Sequence, residues 1–187
     1  MKGFILGIIF TLICLAAGVY LYFAGGYVPT ATSAQAMPFE KKLANKALEA
    51  RMEKEAPKNV PIQADETVLV AGANIYKDNC AVCHGLPGKP ETPIARGQYP
   101  RPPQLFHGHG VTDDPPGEIY WKASNGIRLT GMPGFKGSFT DTQLWQVSLL
   151  LKNADKLPAQ AQQVLGGAVQ MQAPTGGEHK HQHDHEH

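Results

Sequence analysis

Cys80-Ala81-Val82-Cys83-His84 sets two thiols apart by two residues and puts an imidazole directly after the second. Thiols at that spacing on one turn can each reach a haem vinyl group and form a thioether. The histidine after them then falls under the iron as its proximal axial ligand. C-x-x-C-H is therefore the attachment signature of haem c, with Cys80 and Cys83 as covalent anchors and His84 as an iron ligand. Other uses of C-x-x-C fit less well. A structural zinc site needs four ligands, and the one further cysteine is Cys14, inside an apolar run. A thioredoxin-like pair would sit beside a βαβ pattern, and none is visible. A disulfide here would close a very short loop.

The surrounding residues carry a resemblance. Asn79-Cys80-Ala81-Val82-Cys83-His84-Gly85 and Gly131-Met132-Pro133-Gly134-Phe135 resemble the attachment segment and the methionine segment of class I c-type cytochromes, and the likeness extends over roughly residues 66–157. It implies an all-α fold, a small cytochrome c domain of three to four helices around one covalently bound haem c. It implies Met132 as the second axial ligand. Tyr99-Pro100-Arg101-Pro102-Pro103-Gln104-Leu105 resembles the segment in which a proline carbonyl accepts the Nδ1–H of the proximal histidine, and Pro102 and Pro103 both qualify. A Met/His pair leaves no open position on the iron, so the resemblance implies an electron carrier rather than an enzyme. His107 and His109 are the rival sixth ligands, and bis-histidine ligation would lower the reduction potential. Arg128 is either a haem-propionate partner or a solvated cation.

These residues need elements to hold them. Asp65 or Thr67 can cap a helix that runs to about Cys80, with Val68, Leu69, Gly72, Ile75 and Tyr76 at core spacing. The resemblance implies that Gly72 and Tyr76 meet an aromatic on the last helix, here Trp145, within a helix from about Thr140 to Lys152. Residues 85–116 are dense in proline, which removes backbone donors and fixes φ, so they read as a rigid wrapping loop. A third helix is expected over Gly117–Ser124, capped by Asp113 or Asp114, with Ile119, Tyr120 and Ala123 inward and Asn125-Gly126 at its end.

The 187 residues divide into five stretches. Residues 1–3 are a short cytoplasmic N-terminus. Residues 4–24 are apolar or small, uncharged and long enough to span a bilayer as one helix. Lys2 and the free amine on the N-terminal side favour an anchor that exports the rest of the chain. A cleaved leader is the competing reading; its apolar core is normally shorter, and Ala34-Gln35-Ala36, the A-x-A candidate, lies well past this one. Residues 25–64 form a spacer with a helix at about 39–56, whose Phe39, Leu43, Ala47 and Ala50 make a thin apolar face, and Pro57 and Pro61 close it. Residues 65–157 are the cytochrome domain. Residues 158–187 are a flexible His-rich tail, in which Val164, Leu165, Val169 and Met171 could form a brief helix.

In that tail His179, His181, His183, His185 and His187 alternate with other residues, a pattern that can take divalent metals, copper above zinc by inherent affinity. It supports an alternative function, a haem-linked copper-handling module. The net charge of +1 gives no reason to expect nucleic acid. The leading expectation is one-electron transfer in a respiratory chain by a single-pass protein of the bacterial cytoplasmic membrane, its C-terminal domain outside. Its partners would be redox proteins, with a terminal oxidase or reductase complex among the candidates.

Overall fold

The computed structural model describes residues 1–106 and 112–166, and all regular structure among them is helical. The chain separates into two units, Met1–Asn45 and the residues from Lys46 onward.

The first unit holds α1, Lys2–Ala24. Its most apolar stretch has a mean hydropathy of 2.6, and none of it is buried. A helix of that length and composition can cross a bilayer. Its hydroxyl at Thr11 bonds back to the carbonyl of Gly7 at 2.9 Å, which satisfies the one polar group that mid-helix carries.

Helix α2, Glu40–Glu55, begins in the first unit and ends in the second. The expected stripe is not the face it buries. Phe39 and Leu43 are exposed, whereas Met52 and Ala56 are buried. Leu48, Met52 and Ala56, four apart, carry more apolar area per turn than the alanines of the expected stripe, and area decides which face is taken from water. Just beyond, the carbonyl of Pro57 sits where a Cβ on Gly117 would be, and Glu55 accepts a 3.1 Å bond from the Trp121 indole. The spacer expected over 25–64 is therefore shorter: residues 46–57 pack with the domain on their C-terminal side.

Helix α3, Glu66–Asn79, starts at Asp65, whose carboxylate accepts the Val68 amide at 2.8 Å. It buries Leu69, Gly72, Ala73 and Tyr76, one face at helical spacing. The short α4, Ala81–His84, and α5, Pro93–Gly97, come next. Helix α6 spans Pro116–Asn125. Neither Asp113 nor Asp114 caps it; Pro115 is the cap residue, and Asp114 instead pairs with Lys122 Nζ at 2.8 Å. Pro116 needs no amide partner in the first turn, so the helix starts without a side-chain cap. Helix α7, Asp141–Lys152, opens with a capping box between Thr140 and Gln143.

Helices α3 and α7 cross at Gly72. A Cβ there would collide with the carbonyl of Gln146 and come within 3.1 Å of Leu150. Glycine is what lets the two backbones meet. The aromatic pairing differs from the expected one: Tyr76 meets Phe106 edge-on, with ring centroids 5.0 Å apart, and Trp145 stacks on Tyr120 of α6 at 4.4 Å. Trp145 is one residue off the crossing point, so its ring turns towards α6.

The chain after Leu157 also departs from the expected loose tail. Helix α8, Ala159–Val164, packs on α3 and leaves Ala161 and Leu165 fully buried. Phe106, Leu144, Leu150 and Leu165 are the large aliphatic and phenyl anchors of the core, each contributing about 1.5–3 kcal/mol from burial.

Candidate cofactor site

The attachment turn is made where α3 stops. Cys80 closes α3 and opens α4, and its carbonyl accepts the amides of Cys83 at 3.1 Å and His84 at 2.9 Å. This single turn brings both thiols and the imidazole to one side. Cys80 and Cys83 are free, half-buried and face a cavity of about 430 Å³. His84 and Met132 line the same cavity, with Leu105, Ile119, Val147 and Leu151 among its apolar walls. Burial, and then the neighbouring Cys83, push the Cys80 thiol up to about 12.

Gly85 is required where it stands. Its φ is +74°, and the Gln104 side-chain oxygen occupies the place of a Cβ. That oxygen is buried and has no hydrogen-bond partner among the described residues. The other end of the Gln104 amide donates to the carbonyl of Cys83 at 3.0 Å. Tyr76 donates to the carbonyl of Gly85 at 2.8 Å in the buried interior. The Leu105 amide reaches the carbonyl of His84 at 3.2 Å. The proline-rich loop is thus tied to the turn from several sides.

Pro103, not Pro102, supplies the carbonyl beside His84: its oxygen lies 2.8 Å from Nδ1. The carbonyl of Pro102 faces the Gln104 amide at 3.4 Å instead. An Nδ1–H donated to Pro103 commits the ring to one tautomer and leaves Nε2 as its free lone pair. Burial lowers the His84 pKa, while the bond to Pro103 opposes that shift. The neutral ring, the form that can bind a metal, is favoured.

The opposite wall is the loop after α6. Gly126, at φ +68°, ends the helix, and a Cβ on it would stand 2.5 Å from the amide nitrogen of Gly134. The Ile127 amide bonds the carbonyl of Met132 at 3.2 Å, and Thr130 Oγ1 accepts the amide of Met132 at 3.1 Å. The Phe135 and Lys136 amides return to the carbonyls of Ala123 and Ser124 at 3.0 and 3.1 Å. Met132 is held by a loop tied to itself and to α6.

Arg128 is exposed and does not line the cavity. Arg101 and Lys122 do, and sequence reasoning missed both. Lys122 falls three residues after Ile119 and one before Ala123, so helical spacing could have found it. Gln98 and Gln104, also in the cavity wall, carry no pattern that would mark them. His107 and His109 lie outside the described residues, as do His179, His181, His183, His185 and His187. Among the described residues there is no cluster of three or more His, Cys, Asp or Glu side chains suited to a further metal.

The donor set suits haem c. Two thiols on one turn, an imidazole with its Nε2 free and a thioether face one mainly apolar cavity, whose lining includes two cations able to meet carboxylates.

Residues 68–149 match the family described as cytochrome c oxidase, cbb3-type, subunit III. No curated protein matches the chain. Among solved structures, a chain of the reducing HAO-like protein complex of Kuenenia stuttgartiensis is similar at 25% identity, with a TM-score of 0.43. That likeness covers 54% of this chain and 51% of the other, about half the length of each.

Proposed function

This chain is a c-type cytochrome by its residues 68–149, and from that premise we propose that it is a mono-haem electron carrier of a respiratory chain, working at the outer face of the cytoplasmic membrane. The observation that carries this reading is the meeting of Cys80, Cys83, His84 and Met132 in one cavity, with the Nδ1 of His84 already engaged by Pro103.

When bound, haem c supplies a one-electron ferric/ferrous couple. In this reading Cys80 and Cys83 hold it covalently. His84 would ligate the iron through Nε2, its ring oriented by the Pro103 carbonyl. Met132, presented by its closed loop, would be the second iron ligand and would hold the potential high. With His84 and Met132 both ligating the iron, no position would be left for a substrate, which makes the chain a carrier rather than a catalyst in this reading. Apolar walls exclude water from the site; Arg101 would meet a propionate, and Lys122 would do so only by sharing its pairing with Asp114. Helix α1 would anchor the chain with its N-terminus inside. Partners are redox proteins, and the family match favours a terminal oxidase as the acceptor class. No observation favours the copper-handling alternative.

The deciding experiment is an absorption spectrum of the haem-matured protein, oxidised and reduced. Low-spin haem that resists extraction, with a methionine–iron charge-transfer band when oxidised, is expected. Met132→Ala should abolish that band and lower the reduction potential by on the order of 0.1 V, a fraction of the roughly 0.8 V that axial ligands span. An unchanged band in the variant would remove Met132 from the ligand set, and a high-spin parent would reopen an enzymatic role.

A further inference from the structure

We propose that Gln98 is a positioning residue that braces the methionine loop against the attachment turn and so restrains the release of Met132 from the iron. This rests on the ligand set proposed for the haem. Gln98 lies just past α5, and its backbone amide is bonded to the carbonyl of Ala95 at 3.3 Å. Helix α5 is itself fastened to the attachment turn: Thr92 Oγ1 donates to the carbonyl of Val82 at 2.5 Å and accepts the Ala95 amide at 3.1 Å. From that fixed base the Gln98 side chain donates through Nε2 to Cys83 Sγ at 3.2 Å, here a free thiol, whose sulfur remains a weak acceptor once it carries the haem thioether.

The same amide packs against Gly131. A Cβ there would stand 2.6 Å from Oε1 and 2.8 Å from Cδ of Gln98. Gly131 is not among the glycines with positive φ. Its backbone would accept alanine; what alanine would not accept is Gln98. The glycine next to Met132 therefore makes room for this one side chain. Among the described residues, the other hydrogen bonds of the methionine loop run to α6 or within the loop. Gln98 adds a contact from the wall that carries Cys83, across the cavity.

A thioether is a weak ligand, and its residence on iron depends on how far its loop can swing. Removing the brace favours the state in which Met132 has left and an external ligand has entered. The test is titration of the oxidised, haem-matured protein with imidazole, monitored through the methionine–iron band, in the parent, Gln98→Ala, Gly131→Ala and the double variant. The clashing atoms of Gln98 are the free end of a flexible side chain, so Gly131→Ala should swing the amide off Cys83 rather than unfold the loop. Each single variant should bind imidazole about three- to tenfold more tightly, the effect of one lost hydrogen bond. The double variant should be no worse than the more affected single one, because both remove the same contact.

Parental imidazole affinity in both single variants overturns the proposal while leaving Met132 ligation intact. So does an additive double variant, which would mean two unrelated defects. If Gln98→Ala fails to mature, Gly131→Ala still decides. A parent that lacks the methionine–iron band overturns the ligand reading, and this inference with it.

Discussion

Gly85 and Gly88 separate two reasons a residue must be glycine. Both have positive φ, at +74° and +65°, but a Cβ on Gly88 would meet open space, whereas one on Gly85 would strike the Gln104 side chain. Gly88→Ala should cost only the conformational strain, about 1–2 kcal/mol. Gly85→Ala should cost more, because it also drives Gln104 away from the carbonyl of Cys83 and disturbs the loop that supplies Pro103. Denaturant midpoints of the two haem-matured variants check this, and equal losses would mean that Gln104 yields without consequence. The histidine shows a similar division. Its place after Cys83 is a matter of spacing, but its tautomer depends on a carbonyl nineteen residues away in the chain.

At the scale of elements, α8 is the informative case. Its sequence, rich in alanine and glutamine, has no obvious apolar face, and composition assigns it to a loose tail. Yet Ala161 and Leu165 are fully buried against the core that includes α3. Leu165→Ala should lower the stability of the haem-matured protein by about 2–5 kcal/mol, the range for emptying a packed aliphatic site. A loss near zero would return residues 158–166 to the tail. The second half of α2 makes a similar point: Met52 and Ala56 enter the core, and Leu48 reaches the cofactor cavity. Both elements lie outside residues 68–149, the stretch that matches the cytochrome family. In each, a few well-placed side chains suffice for docking, too few to raise a periodic signal.

For the whole molecule, the question is where it resides. Helix α1 has the length and apolarity of a span, but a leader with an unusually long apolar core near the N-terminus would look the same. If it is a retained anchor, the intact chain should be recovered in the membrane fraction with residues 1–24 present by mass. A form beginning at residue 27 behind a cleavable leader should then be soluble with the same haem spectrum. A soluble product of the full-length gene, shortened past α1, would make α1 a leader.

Sequence alone determined what depends on spacing. The C-x-x-C-H turn, the Gly-Met-Pro-Gly segment, the apolar run of α1, the extent of α7 and the core face of α3 are local patterns, set by the period of a helix or the reach of one turn. Only the tertiary structure decided which proline faces His84, which aromatic meets Tyr76, and that Arg101 and Lys122 rather than Arg128 line the cavity. It also brought Gln98 between Cys83 and Gly131 and drew residues 46–57 and 159–165 into the packed domain. Each of these is a contact between residues far apart in the chain. Such contacts are chosen by how whole surfaces fit once helices have crossed, and no short window of sequence contains that information.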